Sequence, residues 1–271
     1  INDSRVLIDE SIVPFGHALR TILTASYEHE DEAACARVNY LFRWLQQVDN
    51  SDWIPPALLY LKHYHHTPDR LVRFLTELER LAGSLMIRRQ YLNKRRQRYA
   101  RLIAAIHAGD DLARAGSPIL LDREECDTTI GQLNGEFYLM VASPRNYVLR
   151  RLDSSLAGAE AVYDQPVMTV EHVLPRTVIE GSEWSKWYPT RDLRDRWTHR
   201  LGNLALLSRS KNSNASNYDF ARKKQSYFAA RNGVSPFALT TQILREEAWT
   251  PDVVERRQRE LIDQLRRLWR L

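Results

Sequence analysis

Cysteine is scarce in this chain: its 271 residues include only two, Cys35 and Cys126, which lie far apart and outside any CxxC spacing. A disulfide framework needs several paired cysteines and a zinc ribbon needs CxxC pairs, so the sequence supports neither kind of site. Because so low a cysteine content is typical of a reducing compartment, we expect a cytoplasmic location.

Long apolar runs are also missing. No stretch of about eighteen apolar residues occurs, so no membrane span is expected. The first residues, Ile1 to Arg5, do not have the basic start and apolar stretch of a secretory signal. The chain also begins without Met and enters a helical pattern almost at once, so we expect it to be the C-terminal part of a longer protein.

The composition is that of a soluble globular protein, with 44% hydrophobic and 27% charged residues. The length suffices for one large or two ordinary domains, each with its own core. A net charge of +5 is mild and only slightly favours a polyanionic partner.

Helical periodicity dominates the first part of the chain, from Ile12 to about Ala108. A threonine followed by proline, at Thr67-Pro68 and again at Thr250-Pro251, predicts the first turn of a helix. Apolar residues at helical spacing predict the buried faces of three helices. They are Val38, Leu41, Phe42 and Leu45; Leu71, Leu75, Leu78 and Leu81; and Val254, Leu261, Leu265 and Leu268.

The period changes after Pro166. Residues 167–173 and 201–207 are two short runs of β-forming residues, each the length of a strand. A capping-box pattern at 216–219 predicts a following helix that ends near Arg231. The predicted fold is α+β and predominantly α-helical. We expect a helical domain over 1–155, a strand–loop–strand–helix core over 156–232, and a C-terminal helical segment over 233–271.

Four polar residues accompany this core: Glu171 and His172 at the end of the first predicted strand, Asn203 near the start of the second, and Asn212 in the polar loop that follows. Hydrolysis of a phosphodiester needs a base for water, a cation that offsets phosphate charge, and a rigid scaffold. Histidine suits the base because its ordinary pKa of roughly 6.5 leaves it mostly neutral. Carboxylate and amide oxygens suit Mg²⁺.

The segments EHVLP (171–175) and HRLGNLALL (199–207), with the Asn217, Phe220 and Lys223 spacing, resemble the HNH, or ββα-metal, nuclease domain. More narrowly, they are similar to the C-terminal nuclease domain of GmrSD-type modification-dependent restriction endonucleases. The resemblance is strong over 167–230 and weaker over 60–155. It implies a small ββα-metal unit embedded in a helical domain, DNA as substrate, and a role in phage defence. It also implies an N-terminal ParB-like sensor domain in the full-length protein.

The resemblance implies a role for each matching residue. His172 would be the general base, Asn203 would hold the loop between the strands, and Glu171 and Asn212 would bind one Mg²⁺ or Mn²⁺ ion. Many HNH enzymes have Asp where this chain has Glu171, and many end with a histidine ligand, whereas no histidine follows His199. No structural zinc is therefore expected. His199, Asn217 and Lys223 are candidate phosphate contacts, although a structural histidine and a solvated helix face explain His199 and Lys223 equally well.

A dense group of basic residues lies between Arg88 and Arg101 and is interleaved with Tyr91 and Tyr99. It predicts either a track for the DNA backbone, with Arg88 and Arg95 as candidate contacts, or an ion-paired surface facing another domain. Three tryptophans between the two predicted strands (Trp184, Trp187 and Trp197) favour a local core over a base-stacking platform.

Two other functions stay open at this point. The same scaffold without cleavage would be a module that binds DNA and signals to a partner domain. An RNase of the same fold is the other alternative, because nothing in the sequence separates DNA from RNA.

Overall fold

The structure is a computed structural model that describes residues 4–158, 168–208, 218–228 and 235–271. It divides into two compact units, Ile1–Thr128 and Thr129–Leu271. The described residues form many helices and one antiparallel pair of strands, which confirms an α+β, mostly helical fold. The expected boundary at residue 155 falls inside a helix of the second unit, Ala142–Ala157.

The first unit is built from helices in its described part. They are α1 (Ser4–Leu7), a π-helical turn (Ile8–Ile12), α2 (Val13–Thr24), α3 (Glu32–Leu45), α4 (Ile54–Tyr64), α5 (Pro68–Ile87) and α6 (Leu92–Ala108). Helix α7 (Arg123–Leu133) crosses the boundary between the units.

Helices α3 and α5 form the centre of the first unit, and they pack against each other. The Asp31 side chain accepts a hydrogen bond from the backbone N–H of Ala34 and so caps α3. Pro68 occupies the first turn of α5, as the sequence predicted. All eight apolar residues predicted for the buried faces of these two helices are buried, because each set lies on one stripe at helical spacing.

The second unit surrounds the two strands with helices. Its elements are a 3₁₀ turn (Phe137–Leu139), α8 (Ala142–Ala157), β1 (Met168–His172), α9 (Glu183–Trp187), α10 (Arg191–Thr198), a 3₁₀ turn (Leu201–Asn203), β2 (Leu204–Ser208), α11 (Phe220–Lys223), a π-helical turn (Lys224–Phe228), α12 (Ala238–Leu244) and α13 (Pro251–Trp269). Both predicted strands are therefore present. The second begins later than predicted because Leu201–Asn203 form the turn.

Strands β1 and β2 pair antiparallel with Glu171 opposite Ala205 and His172 opposite Leu204. The free edge of β2 is closed by α12. The Thr240 hydroxyl accepts from the Leu206 N–H at 3.0 Å and donates to the Leu206 carbonyl at 2.6 Å. This side chain takes the place of a third strand at that residue, since it satisfies both backbone groups.

An aromatic core holds this sheet in place. Trp184, Tyr188, Phe220 and Trp249 are almost fully buried and belong to one cluster that also contains Val173 and Leu174. Trp197 belongs to the same cluster, and Trp187 packs against it. The prediction that these tryptophans form a local core is therefore confirmed. The core fixes the residues that follow β1, and hence the end of the strand at which His172 lies.

Candidate active site

His172 lies at the last position of β1, and its side chain is buried, with 6% of the residue exposed. Its Nε2 atom is 3.3 Å from Nδ1 of His199, the residue that ends α10. The ring of Tyr138 covers the same imidazole at 4.1 Å between centroids. Two neighbours distant in the sequence thus fix the position of this histidine from two directions.

The surroundings of His172 keep its imidazole neutral. Burial, and after it the electrostatic effect of His199, Arg176, Lys223 and Arg145, lowers the pKa of His172 to about 3. The pKa of His199 is also lowered, mainly by burial and by Arg176, although Glu136 and Asp195 oppose the shift. A neutral imidazole can accept a proton, so His172 has the charge state that a general base requires.

Glu171 points to a different neighbour, as expected for adjacent residues of a strand. Its Oε1 atom is 3.5 Å from the Lys223 ammonium, which also donates to the His172 carbonyl at 2.8 Å. Burial raises the pKa of Glu171 and lowers that of Lys223 to about 8, while each partner opposes the other's shift. Lys223 is 1% exposed and points into the unit, away from solvent. It links helix α11 to both residues at the end of β1.

Asn203 is fully buried at the start of β2 and connects three segments. Its Oδ1 atom accepts from the Leu174 N–H at 2.8 Å and from the Trp249 indole N–H at 3.0 Å. Its Nδ2 group donates to the carbonyls of Leu174 and Thr198. These bonds tie the chain after β1 to the chain before β2, and this arrangement fits the loop-holding role predicted for Asn203.

Helix α13 fixes the same turn from the other side. Arg257 is buried and donates to the carbonyls of Gly202 and Leu204, and Gln258 accepts from the Gly202 N–H at 2.6 Å. A Cβ at Gly202 would lie 2.7 Å from the Val254 carbonyl oxygen. Only glycine allows α13 to come so close to the turn that carries Asn203.

Asn212 and Asn217, the predicted second metal ligand and a candidate phosphate contact, lie outside the described residues. Within the described ranges, no three side chains of His, Cys, Asp or Glu come together as a metal-binding group. In the same ranges, no helix is both long and apolar enough to cross a membrane.

The two arginines predicted as DNA contacts in the first unit form ion pairs. Arg88 pairs with Glu125 at 3.0 Å, and Arg95 pairs with Asp52 at 2.9 Å. Both side chains are largely buried by these contacts. The exposed lysine and arginine residues of α6 are Lys94, Arg96 and Arg101, and Tyr91 before the helix is 82% exposed.

Sequence reasoning missed three residues around His172. The ring of Tyr138 covers the imidazole. Arg145 donates to the Tyr138 carbonyl at 2.8 Å, and its guanidinium lies 4.8 Å from the centre of the Tyr138 ring. Arg176 is exposed and contributes positive charge near both histidines. Arg176 follows Pro175 directly, so its place beside the motif was a usable signal. Nothing in the local pattern around Tyr138 indicated that its ring packs on His172.

One family of known proteins matches this part of the chain. Residues 134–264 match the family described as GmrSD restriction endonucleases, C-terminal domain. This range contains Tyr138, both strands, His172, His199 and Asn203. No curated protein matches the chain. Residues 134–264 of the chain are therefore similar to the C-terminal domain of the GmrSD restriction endonucleases.

Proposed function

We propose that this chain is a metal-dependent DNA endonuclease or nickase of the HNH type, and that it is the effector part of a phage-defence restriction system. The observation that supports this most directly is the end of β1. There a buried, neutral histidine follows a carboxylate, and a fully buried asparagine holds the adjoining loop. The family match to restriction endonucleases covers the same residues.

His172 is the proposed base. Its Nε2 atom is engaged with His199, so the other ring nitrogen, Nδ1, takes the proton from the attacking water. Because the pKa of His172 is lowered, its imidazole is unprotonated at cellular pH and keeps a lone pair that can accept a proton. The positive charges of Arg145 and Arg176 favour the approach of a phosphate, and Asn203 keeps the strand ends in register.

Glu171 and Asn212 are the proposed protein ligands of one Mg²⁺ or Mn²⁺ ion. The donor chemistry fits a hard cation, because Glu171 and Asn212 supply oxygen atoms and such an ion keeps several of its waters. When bound, the ion would offset negative charge on the scissile phosphate. The ammonium of Lys223, 3.5 Å from Glu171, holds that carboxylate in place before any cation binds.

Substrate binding is proposed to use exposed basic side chains. Lys94, Arg96 and Arg101 lie on the exposed surface of α6, and none has an ion-pair partner in the part of the chain that the structure describes. Contacts of this kind neutralise phosphates without reading sequence. Recognition of modified DNA is assigned to the proposed N-terminal sensor domain, and the proposed site of action is the cytoplasm.

A plasmid assay tests this proposal. Supercoiled plasmid is incubated with wild type, His172→Ala and Asn212→Ala in EDTA, Mg²⁺ or Mn²⁺, and nicked and linear products are measured. Nicking that needs the cation and is lost in His172→Ala is the expected result. Cleavage that resists EDTA would refute the metal, and full activity of His172→Ala would refute the base.

The contact between Lys223 and Glu171 supports a second candidate, a DNA-binding module that does not cleave. A carboxylate already paired with an ammonium can be part of a purely structural ion pair. This alternative predicts a DNA mobility shift without product under every cation condition. Substituting single-stranded and duplex RNA in the same assay tests the RNase alternative.

A further inference from the structure

His199 contacts the proposed base, and the surrounding residues fix the position of both rings. The two imidazoles are perpendicular in a T-shaped arrangement, with 5.3 Å between centroids and 74° between ring planes. The distance of 3.3 Å joins Nε2 of His172 to Nδ1 of His199. A hydrogen bond between these two nitrogens requires that one carry the hydrogen and that the other accept it.

The position of His199 is fixed independently of His172. Its carbonyl accepts from the Tyr138 N–H at 2.9 Å, and its ring stacks on the Tyr138 ring at 5.7 Å with 18° between planes. Arg145 in turn fixes Tyr138, because its guanidinium donates to the Tyr138 carbonyl and lies over the Tyr138 ring. Tyr138 therefore contacts both imidazoles and restricts how either ring can rotate.

We propose that His199 is a positioning residue that accepts a hydrogen bond from Nε2–H of His172. This bond fixes the tautomer in which Nδ1 of His172 is free to take a proton. The inference rests on the proposed function, because it assigns the proton-accepting atom of the proposed base. The reverse direction, with His199 as donor, would occupy the lone pair of His172 and leave its Nδ1 protonated. It would therefore leave no nitrogen available to activate water.

A neutral acceptor differs physically from the carboxylate that orients histidine in many hydrolases. A carboxylate would stabilise the imidazolium form and raise the pKa of the base. His199 orients the ring without placing a negative charge beside it. The proposed contact therefore fixes the tautomer of His172 without a carboxylate beside the ring. This role also differs from a direct phosphate contact by His199.

Two substitutions of His199 separate positioning from packing. In His199→Asn, the side-chain amide oxygen can lie where Nδ1 lies now, so an acceptor is kept. In His199→Leu, a side chain of comparable size fills the space without an acceptor. Circular dichroism and thermal unfolding establish that both variants fold.

The first readout does not depend on activity. Nitrogen-15 NMR of histidine-labelled protein without metal distinguishes Nε2–H from Nδ1–H tautomers, and the signal that disappears in His172→Asn identifies this residue among the eight histidines. We expect His172 to be the Nε2–H tautomer in wild type and in His199→Asn, and a tautomer mixture in His199→Leu. An Nδ1–H tautomer in wild type, or an unchanged tautomer in His199→Leu, would overturn the proposal.

The second readout is cleavage kinetics. Removal of a residue that orients a reactive histidine typically costs about 10- to 100-fold in activity. We expect that decrease in kcat of His199→Leu, little change in KM, and recovery in His199→Asn. A raised KM with unchanged kcat would instead identify His199 as a DNA contact. If wild type cleaves nothing, the proposed function fails, but the NMR result still decides the direction of the hydrogen bond.

Discussion

Buried polar side chains near the strand ends carry the main consequences at the scale of single residues. Asn203 and His172 are both almost fully shielded from solvent, yet one makes four hydrogen bonds and the other is kept neutral. A hydrogen-bond partner that is removed by substitution at a buried site costs more than one at the surface, because water cannot take its place. Substitutions at these two positions therefore give distinct and measurable effects.

Asn203→Ala should lower the free energy of unfolding by about 2–4 kcal/mol, because it leaves the Leu174 N–H and the Trp249 indole N–H buried without an acceptor. Urea denaturation followed by tryptophan fluorescence measures the change. Asn93→Ala, at an exposed position on α6, is the control and should change stability little. An equal effect in both variants would contradict the anchoring role of Asn203.

The lowered pKa of His172 predicts a pH dependence of stability. The unfolded chain takes up a proton near pH 6.5, whereas the folded protein does so only near pH 3, so stability falls as the pH drops through this window. Between pH 7 and 5, wild type should lose about 1–2 kcal/mol more than His172→Asn does. Urea titrations in EDTA at several pH values measure the free energy of unfolding of both proteins. If this free energy changes with pH in the same way in both, His172 is not a buried, neutral histidine in the folded protein.

At the scale of secondary-structure elements, helices α13 and α6 each have a feature that substitutions can test. Helix α13 packs on the turn before β2 through the backbone at Gly202. Helix α6 exposes Lys94 and Arg101 on one face, while its Arg95 and Arg98 form ion pairs. Glycine carries an entropic cost, so it is kept where a side chain would not fit. Exposed basic residues without carboxylate partners are available to phosphates.

Gly202→Ala should destabilise the protein by about 1–3 kcal/mol, because the added methyl group would press on the Val254 carbonyl oxygen and the backbone of Gln258. Gly131→Ala is the matched control. It lies in α7, where an added methyl group meets open space, and should stabilise the helix by about 0.5–1 kcal/mol. Thermal unfolding of both variants tests the opposite signs, and a neutral Gly202→Ala would refute the close packing of α13.

Replacing both Lys94 and Arg101 by Gln should weaken DNA binding and reduce the slope of log K against log salt by up to about 1 for each phosphate that is no longer neutralised. The double variant of Arg43 and Arg73, exposed on α3 and α5, removes the same charge and is the control. Fluorescence anisotropy with a labelled duplex in EDTA measures affinity at several salt concentrations. Equally weakened binding in both variants would show that only net charge matters and that α6 is not a track.

For the whole molecule, we expect DNA binding and DNA cleavage to differ in their need for a divalent cation. The net charge of +5 and the exposed basic residues do not require a cation, so duplex binding should persist in EDTA and weaken steeply with salt. Cleavage should appear only when Mg²⁺ or Mn²⁺ is added. Anisotropy and plasmid nicking, measured on one preparation, test this. Failure to bind duplex in EDTA would mean that the cation is needed to bind DNA, contrary to the proposal that basic side chains bind DNA and the cation serves cleavage.

Local patterns predicted much of the fold. The buried faces of α3 and α5, the proline-initiated helices and both short strands followed from periodicity and capping residues, which act over a few neighbouring positions. Strand ends were less predictable, since the 3₁₀ turn before β2 depends on α13 packing against it. The Glu171-His172 motif and Asn203 were recognisable because the chemistry demands particular residue types.

The amino-acid sequence by itself determined the main helices, the presence of both strands, the local tryptophan core and the family resemblance, because these depend on residue type and on spacing within short segments. The tertiary structure alone decided which nitrogen of His172 meets His199, that Tyr138 covers both rings, and that Lys223 is buried against Glu171. It also decided that Arg88 and Arg95 are held by carboxylates. The physical reason is that burial and pairing depend on atoms brought together from distant segments, which no local pattern encodes.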